Sequence, residues 1–142
     1  MNVDVAIDIA APVERVWEAF TDLQSWRQWN SVLRHISTTG ASHLAEGARF
    51  RCSIRVFALP TFFDVAVVEV VPYRRVVWVS DWLGIRARHQ FVCSPQAEGG
   101  VRVMSHERFS GRTTAIMGPL FPAWRIRQLT AALLRDLKAA VE

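Results

Sequence analysis

The sequence predicts an α+β fold in which a curved antiparallel sheet of about seven strands surrounds a long C-terminal helix. Three observations predict this class. One strand pattern and two short helical patterns come first, six strand patterns then follow with only short loops between them, and the last segment has apolar residues at helical spacing. Consecutive strands with short connections form antiparallel sheets. A lone amphipathic helix must lie against that sheet to cover its apolar stripe.

The N-terminal pattern predicts one strand followed by two short helices. Apolar and polar side chains alternate over residues 2–10, as in a half-buried strand. Pro12 then opens a helix, because proline is preferred in the first helical turn. Asp22 can cap a second short helix over residues 23–29, whose two tryptophans we expect to pack under the sheet edge.

Six strand patterns follow. They alternate apolar and polar residues or are rich in Val, Phe and Trp, which favours strands, and the first of them is the least regular. A Pro-Tyr-Arg turn joins the third and fourth as a hairpin, and the stretch SPQAEGG is a loop before the last. The predicted strands cover residues 32–39, 48–57, 61–71, 74–82, 85–94 and 101–109.

The C-terminal segment predicts the long helix. Pro119 and Pro122 should delay the regular helix to about residue 122 and leave residues 112–121 less regular. A twisted sheet curls round such a helix, so the concave space between them is the expected ligand site. The apolar stripe comprises Ile126, Leu129, Leu133, Leu137 and Val141.

The composition favours a single domain spanning residues 1–142. Hydrophobic residues make up 51% and charged residues 21% of the chain, as in globular proteins, which excludes a disordered chain. No run approaches the ~18 apolar residues of a membrane-spanning helix. The N-terminal stretch lacks the basic start and long apolar core of a signal peptide, so a cytoplasmic location is the default expectation.

Metal and cofactor sites have no sequence support. Cys52 and Cys93 lie in no CxxC or Cys/His spacing, and we expect buried thiols in a reducing compartment. The four histidines lack the spacing of metal ligands. Neither a glycine-rich phosphate loop nor a GxSxG nucleophile elbow occurs. We therefore expect no metal and no cofactor.

The chain is basic, with a formal net charge of +4 and a pI near 10.0. The strand arginines face away from the apolar faces, which indicates a solvated basic exterior. Nucleic-acid binding is disfavoured, because no aromatic residues interleave with these arginines and no recognition motif occurs. The arginines concerned are Arg49, Arg51, Arg55, Arg86, Arg88, Arg102 and Arg108.

Four stretches carry a resemblance to a known superfamily: APVERVWEAFTD, LQSWRQWN, DWLGIRARHQFVCSP and HERFSGRTTAIMGPLFP. In order and over nearly the whole chain, they resemble the START-like, Bet v 1-like proteins, specifically the bacterial polyketide cyclase/dehydrase and lipid-transport (SRPBCC) branch. The resemblance implies the helix-grip fold. It implies no single activity, because members include ligand carriers, hormone receptors and aromatase/cyclases.

His89 and Glu107 are the candidate acid/base pair. Both lie on predicted strand faces that also carry large apolar residues. If the loop over residues 94–100 closes symmetrically, His89 lies opposite Ser105, with Glu107 one step further along the same face. Such a pair could act on an enolisable ligand, or it could be a buried polar pair that fixes the sheet. Relatives often carry His at the position of Ser105, and this departure weakens a transferred role.

The cavity walls are predicted from strand faces and from the segment before the last helix. Trp78, Ser80 and Trp82 share one face, which either lines the cavity or covers the outside, and Asp64 could be a third inward carboxylate. Gly118 and two prolines prevent a rigid helix over residues 112–124, so this segment either forms a lid or packs as a helix start. The predicted ligand-binding residues are Trp78, Trp82, Phe91, Ser105, Phe109, Met117, Leu120, Phe121 and Trp124.

Three functions stay open. The favoured hypothesis is a binding module for an apolar small molecule that is lipid-, polyketide- or aromatic-like. The second is a polyketide cyclase/dehydratase-type enzyme with His89 and Glu107 as acid and base. The third is a partner-regulating domain that meets another protein through its basic face or exposed helix. A homodimer is possible, and no membrane span or nucleic-acid partner is expected.

Overall fold

The computed structural model describes residues 1–142 and contains one seven-stranded antiparallel sheet. Its strand order is β1-β7-β6-β5-β4-β3-β2, so the first strand pairs with the last and every other strand pairs with its neighbour in sequence. The predicted α+β class with about seven antiparallel strands is confirmed. The strands are β1 (Asn2–Ile9), β2 (Arg34–Thr38), β3 (Arg49–Ile54), β4 (Thr61–Val71), β5 (Arg75–Trp82), β6 (Ile85–Pro95) and β7 (Val101–Ser110).

The long C-terminal helix lies against β1 and the two short N-terminal helices. Its buried stripe contains Leu134 in addition to the predicted residues, while Leu129 is only partly buried. No helix of the structure is both long and apolar enough to cross a membrane. The helices are α1 (Val13–Thr21), α2 (Trp26–Trp29), α3 (Arg112–Met117) and α4 (Ala123–Val141), and short 3-10 turns cover Leu23–Ser25 and Gly118–Leu120.

An aromatic cluster fills part of the concave face. Trp26 is fully buried, and its indole N–H donates to the Phe20 carbonyl at 2.9 Å. The Phe20 ring lies 4.7 Å from Phe91, which lies 4.9 Å from Trp78, and Phe50 meets Trp78 edge-on at 5.8 Å. Such tilted and edge-on contacts are the favoured aromatic geometries. This cluster and the buried residues of α4 belong to the larger of the two groups of buried apolar side chains.

The register between β6 and β7 differs from the prediction by two residues. His89 pairs with Glu107, whereas we expected His89 to lie opposite Ser105, and that expectation is wrong. The strands continue to a pair between Pro95 and Val101, so the loop between them is two residues shorter than the predicted one. Gln96 N–H donates to the Gly100 carbonyl at 2.7 Å and closes this shorter loop. A shift of two residues keeps every side chain on its predicted face.

Two strands are shorter than predicted. β3 ends at Ile54, which pairs with Thr61 of β4. The next pair would place Arg55 opposite Pro60, which has no N–H to donate to the ladder. β2 is limited by a bulge between Arg34 and Ser37, where His35 has a φ of 54°. Residues 55–60 therefore form a loop at one end of the sheet rather than a strand.

Candidate functional site

A cavity of about 260 Å³ lies between the concave face of the sheet and the first half of α4. Of its 25 lining residues, 18 are hydrophobic. The side chains come from alternate positions of each strand, such as Ile85, Ala87 and His89 of β6, because successive residues point to opposite faces. Ile126 and Leu133 close it from the helix side. The period-two pattern of the strands thus forms a wall that is mostly apolar.

A row of three side chains crosses the wall of the cavity. Trp78 of β5 lies opposite His89 of β6, which lies opposite Glu107 of β7. All three belong to the concave face and line the cavity. The His89 residue is 6% exposed and the Glu107 side chain 13% exposed. An imidazole and a carboxylate therefore lie side by side in a wall that is otherwise apolar or hydroxyl-bearing.

His89 has a partner at each ring nitrogen. Its Nε2 lies 2.6 Å from the Ser105 hydroxyl, and its Nδ1 lies 3.3 Å from Oε2 of Glu107. The first distance is that of a short hydrogen bond, and the second is a looser polar contact. Phe91 stacks on the imidazole with ring centroids 4.1 Å apart, so the ring is held on its face as well as at its edges.

These partners determine where the ring proton lies. Ser105 is fully buried, and its hydroxyl makes no other side-chain hydrogen bond. The hydroxyl therefore donates to Nε2, since a buried O–H without an acceptor costs about 1–3 kcal/mol. A neutral imidazole that accepts at Nε2 carries its proton on Nδ1. This nitrogen lies 3.3 Å from the Glu107 carboxylate, which receives no hydrogen bond from the protein.

The predicted residues divide into three groups by position. The first group comprises five predicted ligand-binding side chains that line the cavity with His89 and Glu107. The second comprises Leu120 and Trp124, which point to solvent and are 81% and 66% exposed. Trp124 is exposed because α4 turns Ile126 and Thr130 to its inner side. The five that line the cavity are Trp78, Trp82, Phe109, Met117 and Phe121.

Phe91 and Ser105 form the third group, which is buried behind the cavity wall. Phe91 lies in the aromatic cluster, and Ser105 lies behind His89. Asp64 was a possible inward carboxylate, and this expectation is corrected: its side chain is 74% exposed on the outer face, 3.4 Å from Arg51. The cavity therefore contains a single carboxylate, that of Glu107.

Ser80 shares its strand face with Trp78 and Trp82, a face left open between the cavity and the outside, and it lines the cavity. Other lining residues were not predicted, although simple signals would have found them. Thr130 lies four residues after Ile126 on the buried side of α4. Cys52 alternates with buried Phe50 on β3. Each follows from extending a recognised face by one more position.

The cysteine in the cavity wall is a neutral thiol. Burial, with a smaller contribution from nearby Asp64, raises the pKa of Cys52 to about 12. Burial also raises the pKa of Cys93 to about 11. Since the thiolate is the nucleophilic form, neither sulfur is activated for chemistry at neutral pH. No three His, Cys, Asp or Glu side chains gather as metal ligands would.

The mouth of the cavity is held by contacts between loops and helices. Arg125 of α4 donates to the carbonyls of Arg55 and Val56 at 3.1 and 3.2 Å, which ties the β3–β4 loop to the helix. The Thr113 hydroxyl of α3 donates to the Leu83 carbonyl in the β5–β6 turn. These hydrogen bonds join one loop to α4 and one turn to α3, and Val56 and Thr113 of the joined segments line the cavity.

A family model described as polyketide cyclase / dehydrase and lipid transport matches residues 1–142. No curated protein matches this chain in sequence. Among solved structures, the Zhui aromatase/cyclase from Streptomyces sp. R1128 has a TM-score of 0.80 at 12% identity, with 99% of this chain and 93% of that chain covered. A START superfamily protein from Mycobacterium smegmatis has a TM-score of 0.72 at 13% identity, covering 99% of this chain and 96% of that one.

A third similar structure is longer than this chain. A protein from the dynemicin biosynthetic locus has a TM-score of 0.71 at 21% identity, with 97% of this chain covered. This chain spans 46%, or about half, of that protein. At such identities the likeness shows the fold alone. The helix-grip fold and the resemblance to the START-like superfamily are both confirmed.

Proposed function

Because this chain belongs to the polyketide cyclase / dehydrase and lipid transport family, we propose that it binds an apolar small molecule in the cavity between the sheet and α4. The observation that carries the proposal is the cavity itself, with 18 hydrophobic residues among the 25 that line it. Removing an apolar ligand from water into such a space is favourable in proportion to the apolar area buried. A few polar groups, chiefly His89 and Glu107, would fix its orientation.

The volume limits the size of the ligand. An engineered apolar cavity of about 150 Å³ holds one benzene molecule. A cavity of about 260 Å³ therefore suits a molecule of roughly two fused rings, with a few substituents. A long acyl chain or an extended polyketide would have to project through the mouth. An aromatic or other compact ligand is thus favoured over a lipid with a long chain.

The proposal is tested by filling the cavity. Ala87 lies in the floor, is 7% exposed and has a small side chain, so Ala87→Leu adds volume where the ligand would lie. We expect wild type to bind 2-naphthol in isothermal titration calorimetry, and Ala87→Leu to weaken binding at least about tenfold by occlusion.

Ala6→Leu is the matched control, because Ala6 is exposed on β1 and does not line the cavity. It should bind 2-naphthol as wild type does. Binding that is absent from wild type, or equally strong in Ala87→Leu, would contradict the proposal.

A second candidate function is an acid/base reaction, favoured by the carboxylate that faces the cavity beside an imidazole N–H. Glu107 could take a proton from a carbon next to a ligand carbonyl and return it to a departing β-hydroxyl, which leaves as water. His89 would donate a hydrogen bond from Nδ1 to the carbonyl or the leaving oxygen. No metal or redox partner is needed for this dehydration.

The conversion of 3-hydroxy-1-tetralone to 1-naphthol and water tests this candidate, because the product is fluorescent and both molecules have the size of the cavity. An enzyme should accelerate it, and Glu107→Gln should lower the rate at least about 100-fold. Asp64→Asn, which removes an exposed carboxylate, should leave the rate unchanged. Equal rates for wild type and Glu107→Gln would eliminate the acid/base candidate and leave the binding proposal standing.

A further inference from the structure

We infer that the cavity selects a compact ligand that carries a hydroxyl group, held between Glu107 and His89, and that it rejects carboxylate ligands such as fatty acids. This inference rests on the proposed binding function and specifies its ligand class. It follows from three features of the site: the free capacity of Glu107, the proton on His89 and the absence of any cationic side chain in the cavity wall.

Glu107 is the hydrogen-bond acceptor of the site. One of its oxygens, Oε2, contacts His89 Nδ1 at 3.3 Å, and its carboxylate receives no other hydrogen bond from the protein. A carboxylate has about four acceptor positions, so most of them are available. A ligand O–H can donate to this group, while a hydrocarbon would cover it without giving a hydrogen bond.

His89 supplies the complementary donor. The Ser105 hydroxyl occupies Nε2 at 2.6 Å, which leaves the ring proton on Nδ1, next to the carboxylate. Because the contact between Nδ1 and Oε2 is long, a ligand oxygen can accept from Nδ1–H while donating to Glu107. A hydroxyl both donates and accepts, so it matches this pair of groups in a way that an ether, a ketone or a hydrocarbon does not.

The wall contains nothing that would stabilise an anion. None of the 25 lining residues is Lys or Arg, although the chain has 17 such residues. A bound carboxylate would lie near the Glu107 carboxylate in an apolar surround, where like charges repel strongly. Specificity against acids therefore comes from repulsion, in addition to the attraction for hydroxyls.

Ser105 acts as a positioning residue. It is fully buried and does not line the cavity, so its effect on a ligand passes through His89. Its hydroxyl holds the imidazole in the tautomer that presents Nδ1–H to the ligand. Without it, the proton can move to Nε2, and Nδ1 becomes a second acceptor beside Glu107. Ser105→Ala should therefore weaken hydroxyl recognition without closing the cavity.

The ligand class is tested with three probes of one shape: 2-naphthol, naphthalene and 2-naphthoate, titrated at pH 7 by calorimetry. We expect 2-naphthol to bind at least about tenfold more tightly than either of the others, because only it satisfies both polar groups without adding a charge. If 2-naphthoate or naphthalene binds as tightly as 2-naphthol, the inference is overturned while the binding function stands. If none of the three binds, the proposed function itself fails.

Two variants assign the selectivity to its residues. Glu107→Gln removes the charge, so the affinity for 2-naphthoate should rise at least about tenfold, whereas the control Asp64→Asn, which changes the net charge equally on the outer face, should not alter it. In Ser105→Ala, the ratio of 2-naphthol to naphthalene affinity should fall, with naphthalene binding unchanged. The ¹⁵N shifts of His89 should report a larger share of the Nε2–H tautomer than in wild type.

A merely structural role of Ser105 would weaken both probes alike and leave the His89 tautomer as in wild type. That result would remove Ser105 from the recognition site. An unchanged affinity of Glu107→Gln for 2-naphthoate would remove Glu107 from it.

Discussion

At the residue level, the aromatic side chains divide between packed and solvent-facing positions. Phe91 is 2% exposed and contacts Phe20, Trp78 and His89 through ring centroids 4.1–4.9 Å apart. Trp124 is 66% exposed on the outer side of α4. Both were predicted to contact the ligand, and neither lines the cavity. Their contributions to stability should therefore differ sharply.

We expect Phe91→Ala to lower the free energy of unfolding by about 3–5 kcal/mol, because it leaves a large void in the aromatic cluster. Trp124→Ala should change it by less than about 0.5 kcal/mol, because an exposed side chain loses few contacts. Urea denaturation of both variants measures the difference. A small effect for Phe91→Ala would show that the cluster is loosely packed.

At the level of elements, the end of α4 is fastened to the end of β1. Glu142 accepts a hydrogen bond from the Ala10 N–H at 2.9 Å, and Lys138 donates to the Asp8 carbonyl at 2.8 Å. Lys138 also pairs with Glu142, and Arg102 pairs with Asp8 at 2.8 Å. These contacts lie at the edge strand β1, which the helix protects from pairing with another chain.

The fastening predicts a pH dependence. The hydrogen bond from Lys138, followed by that from Ala10, holds the pKa of Glu142 below its ordinary value of 4.5. Because the folded-state pKa is the lower one, the stabilisation is present above pH 4.5 and is lost as the pH falls through the folded-state value. Glu142→Gln should therefore be less stable than wild type at pH 7, and the difference should shrink towards zero in acid.

Thermal denaturation of wild type and Glu142→Gln between pH 7 and pH 3 measures this effect. Glu98→Gln is the matched control, because Glu98 is exposed in the β6–β7 loop and makes no ion pair. A difference between wild type and Glu142→Gln that stays constant across this range would show that the carboxylate contributes nothing through its charge.

The segment before α4 is built from short pieces rather than one helix. Gly111 and Gly118 have φ values of 100° and 51°, which other residues adopt only with strain. Between them, α3 ends at Met117, which lines the cavity, and the 3-10 turn from Gly118 to Leu120 leads to Phe121, which lines it too. The choice between a lid and a packed helix start therefore stays a prediction.

At the scale of the whole molecule, the open cavity is a cost to stability. Apolar space without partner atoms loses dispersion contacts that a filled core would have. Ala87→Leu, expected to block 2-naphthol, should for the same reason unfold at a temperature equal to or above that of ligand-free wild type. A ligand at about 100 times its Kd should stabilise wild type by about 2.7 kcal/mol and the filled variant much less.

Much of the architecture follows from local patterns. Alternation with a period of two placed Ile85, Ala87 and His89 on one face, and helical spacing placed Leu133 and Leu137 on another buried surface. These periodicities come from the backbone geometry of each element. The predicted pairing of β6 with β7 was wrong by two residues, and a shift of two does not change which side chains face inward. The predicted faces of both strands were therefore right.

The candidate site depended on information that no single element holds. The face occupied by Trp78 could not be assigned from its strand, because the bulge in β4 between Val67 and Glu69 alters the alternation next to it. The contact between Ser105 and His89 depended on the register, and therefore on a tight turn. The sequence brought His89, Ser105 and Glu107 together, but only the structure shows that Glu107 is the direct partner across the ladder and that Ser105 reaches the other ring nitrogen.

The sequence by itself determined the class of fold, the order of its elements and the inward direction of His89 and Glu107, because these depend on periodicities within single strands and helices. Only the tertiary structure decided that the space between sheet and helix is open, that Phe91 packs behind it and that Leu120 and Trp124 point away. An empty volume is the difference between the space that the backbone encloses and the side chains that fill it. That difference is a property of all the elements together.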